Sequence, residues 1–383
     1  MGISKINGIA ISNIAKIAGK PKAQFSKMHG LTLSASADPG PTTASRWVVV
    51  HDDRDISYIP NADAVAANDN WTTYDSFQGG SQPNPSAGVD HIHVAFGQDG
   101  SGGDLWVATH ASDNPEISYH DDPTTGPWTG VNKDTSNVNL KGRRFAVQWG
   151  DGVWVATGKM GSKMLFRSTN GSDWTQISLA SVSGITTEAV YTIASDGNGT
   201  WWFGQNNRVY QSTDGAQTWA LVHTILDSSN SNPGKIRSMA FTNDTLIVGI
   251  QNTGEFFTAA VSDLTDWSSG TTLNSHAGVC FDQQTRIAAA NGRVVVVGGQ
   301  FKSTFDVNGK TVTMDENGVD FSGNNTSHGT LSSISTDGST WLATCFTGDT
   351  FVSTDSGATF TRIADNVGGL DILDGAPDVY LPL

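Results

Sequence analysis

Gly152-Val153-Trp154-Val155-Ala156 sets out a pattern, a turn residue, then an aromatic, then small or β-branched residues, that returns along most of the 383-residue chain. Ser45-Arg46-Trp47-Val48-Val49, Asp104-Leu105-Trp106-Val107-Ala108 and Gly199-Thr200-Trp201-Trp202-Phe203 repeat it. So do Asp244-Thr245-Leu246-Ile247-Val248, Gly292-Arg293-Val294-Val295-Val296 and Ser339-Thr340-Trp341-Leu342-Ala343. The anchors at 47, 106, 154, 201, 246, 294 and 341 are separated by 59, 48, 47, 45, 48 and 47 residues, so an insertion lies in the first interval. A second aromatic trails each anchor: Trp71, Trp128, Trp174, Trp219, Trp267, Phe321 and Phe360. Ten of the 12 tryptophans fall on these two ladders. Upstream of most anchors lies another apolar run, such as His91-Ile92-His93-Val94-Ala95-Phe96 or Val190-Tyr191-Thr192-Ile193-Ala194. Each unit therefore holds three or four short strands.

A repeated small sheet buries its faces only by packing on its neighbours, and four-stranded units with a period in the forties do so radially. The expected fold is all-β: a seven-bladed β-propeller of about 48 residues per blade over residues 31–383, preceded by a short extended N-terminal arm over residues 1–30. The apolar tail Leu370-Asp371-Ile372-Leu373 and Val379-Tyr380-Leu381 is expected to complete a blade begun near Leu31-Thr32-Leu33, removing two sheet edges. Composition agrees, since Gly 43 and 12 Trp against six Met suit short strands and tight turns better than long helices.

Composition also excludes. A net charge of −15 argues against a nucleic-acid partner. Cys280 and Cys345 are too few for a disulfide framework. Lys5, Asn7, Ser12, Asn13 and Lys16 interrupt any signal-peptide core, and no later window reaches membrane-span length, so neither Sec export nor membrane insertion is expected.

The arm differs from the body. Residues 1–37 hold five lysines and no acid. With five of the 22 basic residues there and all 37 acids outside, the remainder carries −20. Within the arm Ile3-Ser4-Lys5-Ile6-Asn7-Gly8, Ile14-Ala15-Lys16-Ile17-Ala18-Gly19 and Phe25-Ser26-Lys27-Met28-His29-Gly30 start 11 residues apart. Apolar, small, Lys, apolar, turn residue, Gly describes short extended segments ending in turns rather than a helix. Lys5, Ile6, Lys16, Ile17, Phe25, Lys27 and Met28 are the candidate docking residues. The phrase resembles the repeats that open many structural proteins of tailed bacteriophages.

A second resemblance lies on the trailing ladder. Ser353-Thr354-Asp355-Ser356-Gly357-Ala358-Thr359-Phe360 matches the Ser-x-Asp-x-Gly-x-Thr-aromatic pattern of Asp-box, or BNR, repeats. Ser212-Thr213-Asp214-Gly215-Ala216-Gln217-Thr218-Trp219 moves the Gly by one position. Ser168-Thr169-Asn170-Gly171-Ser172-Asp173-Trp174 is one residue shorter with Asn for Asp. Ser335-Thr336-Asp337-Gly338-Ser339-Thr340-Trp341 falls on the first ladder and is a turn resemblance only. In such a box a short acidic or amide side chain folds back on turn amides, Gly takes the strained backbone angle and the aromatic plugs between sheets, a structural device. The body is thus similar to Asp-box propellers, a group that includes sialidases, other glycosidases, assembly factors and phage proteins. The resemblance implies fold more than function.

Sialidase chemistry would need three converging arginines, a Tyr–Glu pair and an acid Asp. Ile56-Ser57-Tyr58-Ile59-Pro60 lacks the Arg of the family's motif, and nothing in the spacing of Arg54, Arg143, Arg144, Arg237 and Arg286 demands convergence. Glu116, Glu188, Glu255 and Glu316 are the only glutamates. His91 and His93 alternate on a strand and are expected to share a face, without further metal ligands at suitable spacing. Asp306-Val307-Asn308-Gly309 reads as an Asn-Gly hairpin, and Gly97 to Asp104 as a loop rather than a phosphate cradle. No catalytic, metal or cofactor residue is expected.

The expected function is a non-enzymatic virion protein of a tailed bacteriophage, a tail fibre, spike or decoration, assembled in the host cytoplasm. Its arm would bind other virion proteins and its propeller a host-surface glycan or protein, with avidity from many copies and room for a homo-oligomer. An Asp-box glycoside hydrolase and a cellular protein-binding scaffold are the alternatives. Trp71, Tyr74 and Phe77, in the insertion over residues 60–90, are the candidate receptor-facing residues.

Overall fold

The computed structural model describes residues 91–110, 117–123, 127–131, 144–158, 164–251, 253–274, 287–321, 331–336, 338–345 and 349–364. It adds short strand segments between residues 5 and 75 and at 378–380. The chain divides into two units, Met1–Thr43 and Ala44–Leu383.

In the first unit three two-stranded hairpins follow the sequence repeat: Lys5–Ile6 with Ile9–Ala10, Lys16–Ile17 with Lys20–Pro21, and Lys27–Met28 with Leu31–Thr32. Each begins at the repeated lysine, and in the sequence a Gly (Gly8, Gly19, Gly30) lies between its two strands. Phe25 lies outside the described residues.

In the second unit six blades are each built from four consecutive antiparallel strands. Blade 1 holds His91–Gln98, Asp104–His110, Ile117–His120 and Thr129–Val131. Blade 2 holds Arg144–Gly150, Val153–Gly158, Met164–Ser168 and Trp174–Ser178. Blade 3 is Thr192–Ser195, Trp201–Gln205, Arg208–Ser212 and Ala220–Thr224. Blade 4 is Ile236–Thr242, Thr245–Ile250, Glu255–Ala260 and Thr271–Thr272. Blade 5 is Ile287–Ala290, Arg293–Gly298, Phe301–Asn308 and Thr311–Asp320, and blade 6 is Leu331–Thr336, Trp341–Cys345, Thr350–Ser353 and Thr361–Ala364.

The expectation of seven equivalent blades is corrected to six blades of this consecutive kind. The sheet that contains the first anchor, Trp47, is composite. Asp378–Tyr380 pairs with Trp47–Val50, which continues to Asp55–Ile59 and Thr72–Asp75. The C-terminal strand therefore meets Val48, Val49 and Val50, not Leu31-Thr32-Leu33, because Leu31–Thr32 is already paired with Lys27–Met28 in the third hairpin.

The period has a packing cause. Trp106, Trp154, Trp201, Leu246, Val294 and Trp341 open or closely follow the start of the second strand of successive blades, and all are at most 2% exposed. They fill the spaces between blades. Ala95, Leu105 and Val107 of blade 1 form one core cluster with Trp154, Ala156, Phe166 and Trp174 of blade 2. Truncating such a tryptophan to Ala costs about 3–5 kcal/mol. First strands of neighbouring blades approach closely enough to require glycine: a Cβ on Gly97 would lie 2.2 Å from Trp149 Cγ, and one on Gly150 would lie 2.6 Å from Ser195 Oγ.

Two local expectations change. Phe321 is not a turn aromatic of blade 5, whose third and fourth strands join at Gly309-Lys310; it follows the fourth strand and packs against Phe351 and Phe360 of blade 6. The register of blade 1 shifts between His91 and His93, so the alternation that would put both histidines on one face is broken by a bulge.

Candidate functional site

The turns joining third to fourth strands carry the Ser-x-Asp/Asn phrases. In blade 6 Ser353 Oγ donates to Asp355 Oδ1 at 2.7 Å and accepts from Gly357 N at 3.0 Å. Asp355 in turn accepts from the Thr359 N–H at 2.9 Å and from its hydroxyl. Blade 3 repeats this with Ser212, Asp214, Ala216 and Thr218 at 2.7, 3.0 and 2.9 Å. In blade 2 the shorter loop uses Asn170 Oδ1 to accept from Ser172 N and Asp173 N, and Trp174 Nε1 donates to Gly171 O at 2.8 Å. Trp174 and Trp219 are buried and Phe360 half-buried, so each turn is pinned by its aromatic.

These carboxylates are acceptors, not acids. Partial burial alone would raise Asp214, but donors from Thr218, Ser212 and Gln217 outweigh it and hold the group at about 2; the same balance lowers Asp355. The turns are further tied by cations of the preceding blade. Arg167 Nε donates to Gly215 O at 2.7 Å, and Arg293 Nε donates to Ser356 O at 3.1 Å. Lys302, 4% exposed, pairs with Glu316 and donates to Gly357 O and Ala358 O. This end of the blades is a brace.

The other end of blades 3 and 4 gathers a more varied set. Arg237 sits where the register of blade 4 shifts between Ile236 and Ser238, and the bulge aims it over the Tyr191 ring, with Cζ 3.4 Å from the centroid. Its Nε donates to Gln251 Oε1 at 3.0 Å. Beside it Lys235 Nζ meets Glu188 Oε2 at 2.8 Å, which holds the Glu188 carboxyl below its ordinary range with Arg237 adding to the effect. Gln205, buried, accepts from Thr186 N and donates to Glu188 O, fixing the loop that presents Glu188. Glu255, at the start of the next strand, is pushed up by burial and by the charge of Asp227. A planar cation stacked on an aromatic, flanked by a second cation and by acids of opposite pKa tendency, suits recognition of a polar or anionic group.

Of the five arginines read from the sequence, Arg144 and Arg237 both stand near the start of first strands, in blades 2 and 4. Arg54, Arg143 and Arg286 lie outside the described residues. So do Trp71 and Phe77; Tyr74 lies in the strand Thr72–Asp75, opposite Ile56. Lys5, Ile6, Lys16, Ile17, Lys27 and Met28 take equivalent places in the three hairpins of the first unit. Cys345 is buried, which, with Asp349 nearby, pushes its thiol up to about 12 and makes it no nucleophile at neutral pH. Among the described residues no group of three His, Cys, Asp or Glu side chains is placed to hold a metal, and no helix is long and apolar enough to cross a membrane. The Arg237–Tyr191 pair was not legible as a pair, since it depends on a bulge and a loop meeting across two blades.

No family profile matches the sequence, and no curated protein matches it. Solved structures do match in fold. A structure described as YCF48 bound to D1 peptide aligns with TM-score 0.52 and 13% identity over 79% of this chain and 91% of that one. A chain of the mitotic checkpoint complex aligns at 0.53 and 13% identity over 83% and 84%. Virginiamycin B lyase from Staphylococcus aureus, an inactive variant with quinupristin, aligns at 0.51 and 13% identity over 76% and 92%. At these identities the likeness is one of fold: the body is a β-propeller.

Proposed function

We propose that this chain is a non-enzymatic binding protein that attaches through its basic first unit and presents the propeller to a partner, and that the assembly it joins is the particle of a tailed bacteriophage. The observation that carries this reading is the first unit itself: three hairpins at an 11-residue interval, each starting at a lysine, on a chain whose remaining residues are strongly acidic. Three like hairpins, each opening on a lysine followed by an apolar residue, are suited to a repeating or acidic docking surface. The Arg237, Tyr191, Gln251 and Lys235 cluster is the proposed partner face. The similar propellers bound to D1 peptide and within the checkpoint complex support a polypeptide partner. The Ser-x-Asp turns are read as Asp-boxes in a bracing role.

The test is incorporation into particles. The full-length protein and a Lys5→Glu/Lys16→Glu/Lys27→Glu variant are expressed during infection of the source host, and purified particles are labelled with antibody to the propeller. Discrete labelling with the wild type and its loss with a variant of unchanged melting temperature is the expected result; unlabelled wild-type particles overturn the particle assignment.

One observation favours a second reading, a glycoside hydrolase: Glu255 is raised by burial and by Asp227 on the face that carries Arg237 and Lys235. A panel of sialyl and other glycosides decides it. Turnover abolished by Glu255→Gln supports this reading, and an inactive wild type removes it.

A further inference from the structure

The sequence contains six Asn-Gly pairs, the dipeptide in which a main-chain nitrogen most easily reaches an asparagine side chain: Asn7-Gly8, Asn170-Gly171, Asn198-Gly199, Asn291-Gly292, Asn308-Gly309 and Asn317-Gly318. The last five are described, and all five glycines have positive φ. Four of the five glycine N–H groups are held by a hydroxyl. Gly171 N donates to Ser168 Oγ at 2.8 Å, and Gly292 N donates to Thr242 Oγ1 at 2.9 Å. Gly309 N donates to Thr245 Oγ1 at 2.7 Å, and Gly318 N to Ser303 Oγ at 2.8 Å. All four acceptors, on Ser168, Thr242, Thr245 and Ser303, belong to strands and are themselves buried. Gly199 N makes no hydrogen bond among the described residues, and Asn198 is exposed in the turn between the first two strands of blade 3.

We infer that Asn198-Gly199 is a site of spontaneous asparagine modification and that the other four pairs are protected by their hydroxyl locks. The step needs only water. Gly199 N attacks Asn198 Cγ, the new N–Cγ bond forms, the Cγ–Nδ2 bond breaks, and ammonia leaves with the proton given up by Gly199 N. Water then opens the succinimide at either carbonyl, leaving aspartate or isoaspartate. In a locked pair the nitrogen must first give up a buried hydrogen bond worth about 1.4 kcal/mol, which slows attack by about tenfold. The location gives the change a structural consequence. Gly199 O accepts from Gly215 N at 3.1 Å, and Gly215 belongs to the Ser212–Trp219 turn. An isoaspartate adds a methylene to the main chain at that contact, so blade 3 carries the point at which the propeller ages.

The test is peptide mapping by mass spectrometry of the native full-length protein held at mildly alkaline pH. Asn198 should convert about tenfold faster than Asn170, Asn291, Asn308 and Asn317. In denaturant the five should converge. Thr245→Val, which removes the acceptor for Gly309 N, should accelerate Asn308 about tenfold and leave Asn198 unchanged. A native map in which any locked asparagine keeps pace with Asn198 overturns the inference, as does an Asn308 rate indifferent to Thr245→Val.

Discussion

Ser356 occupies φ 61°, in the left-handed region that only glycine adopts without cost, and its side chain is exposed. Its equivalent in blade 3 is Gly215, while the next position reverses the choice, Gly357 against Ala216 at φ 63°. Each turn therefore has one residue in strain. Ser356→Gly should stabilise the protein by about 1 kcal/mol, read as a shift in the denaturant midpoint, since no buried contact is lost. Gly357→Ala should do the opposite, because its Cβ would lie 2.4 Å from Val295 Cγ2 at φ 79°. The carboxylates of these turns also set a pH dependence. Asp214 falls from an ordinary 3.8 to about 2 on folding, so its contribution is present above pH 4 and is lost as pH drops through 2. Asp214→Asn should flatten the fall in stability across that window, and an unchanged slope would mean that the turn does not hold the charge. The phrase that builds these turns was legible residue by residue, because its hydrogen bonds are local. The strain was legible only in part, since the sequence places Gly but does not say which neighbour shares its geometry.

At the scale of elements, the link between blades matters more than the links within them. Lys302 stands in the third strand of blade 5 and grips Glu316 and two carbonyls of the blade 6 turn from a buried position. Lys310, two residues past that strand, pairs with Asp266 at 2.7 Å in the open, with both side chains more than half exposed. The pairs look alike in a sequence and differ in what their loss leaves behind. Lys302→Ala should destabilise by about 3 kcal/mol, because an acid and two carbonyls lose their donor away from water. Lys310→Ala should cost less than about 1 kcal/mol and less still at high salt. Equal effects in chemical denaturation would show that the buried lysine braces nothing. No sequence signal marks Lys302, whose role depends on a turn 55 residues away. The strands themselves were legible because anchor aromatics must recur wherever one blade packs on the next. Phe321 was misplaced by the same logic: blade 5 turns at Gly309-Lys310 without an aromatic, and the nearest candidate belonged to the next interface.

For the whole molecule the repeat told more about the kind of sheet than about how the ring is joined. Six blades follow from consecutive strands, but the composite sheet takes its first strand from Asp378–Tyr380, and a pairing between segments so far apart in sequence leaves no local trace in either. That strand packs on the first strands of blades 1 and 6 as well as pairing with Trp47–Val50, so three residues join neighbours on both sides. The ring depends on them in a way that a blade within the series does not depend on its own outer strand. Removing residues 378–383 should therefore lower the melting temperature of the entire propeller in one transition and expose the edge at Val48–Val50, giving self-association in gel filtration. Removing Thr271–Thr272 from pairing, by Thr271→Pro, affects a two-residue outer strand of blade 4 and should leave the chain monodisperse. If the truncated protein melts and elutes like the full chain, the C-terminal strand is an ornament and the six consecutive blades hold the ring by themselves.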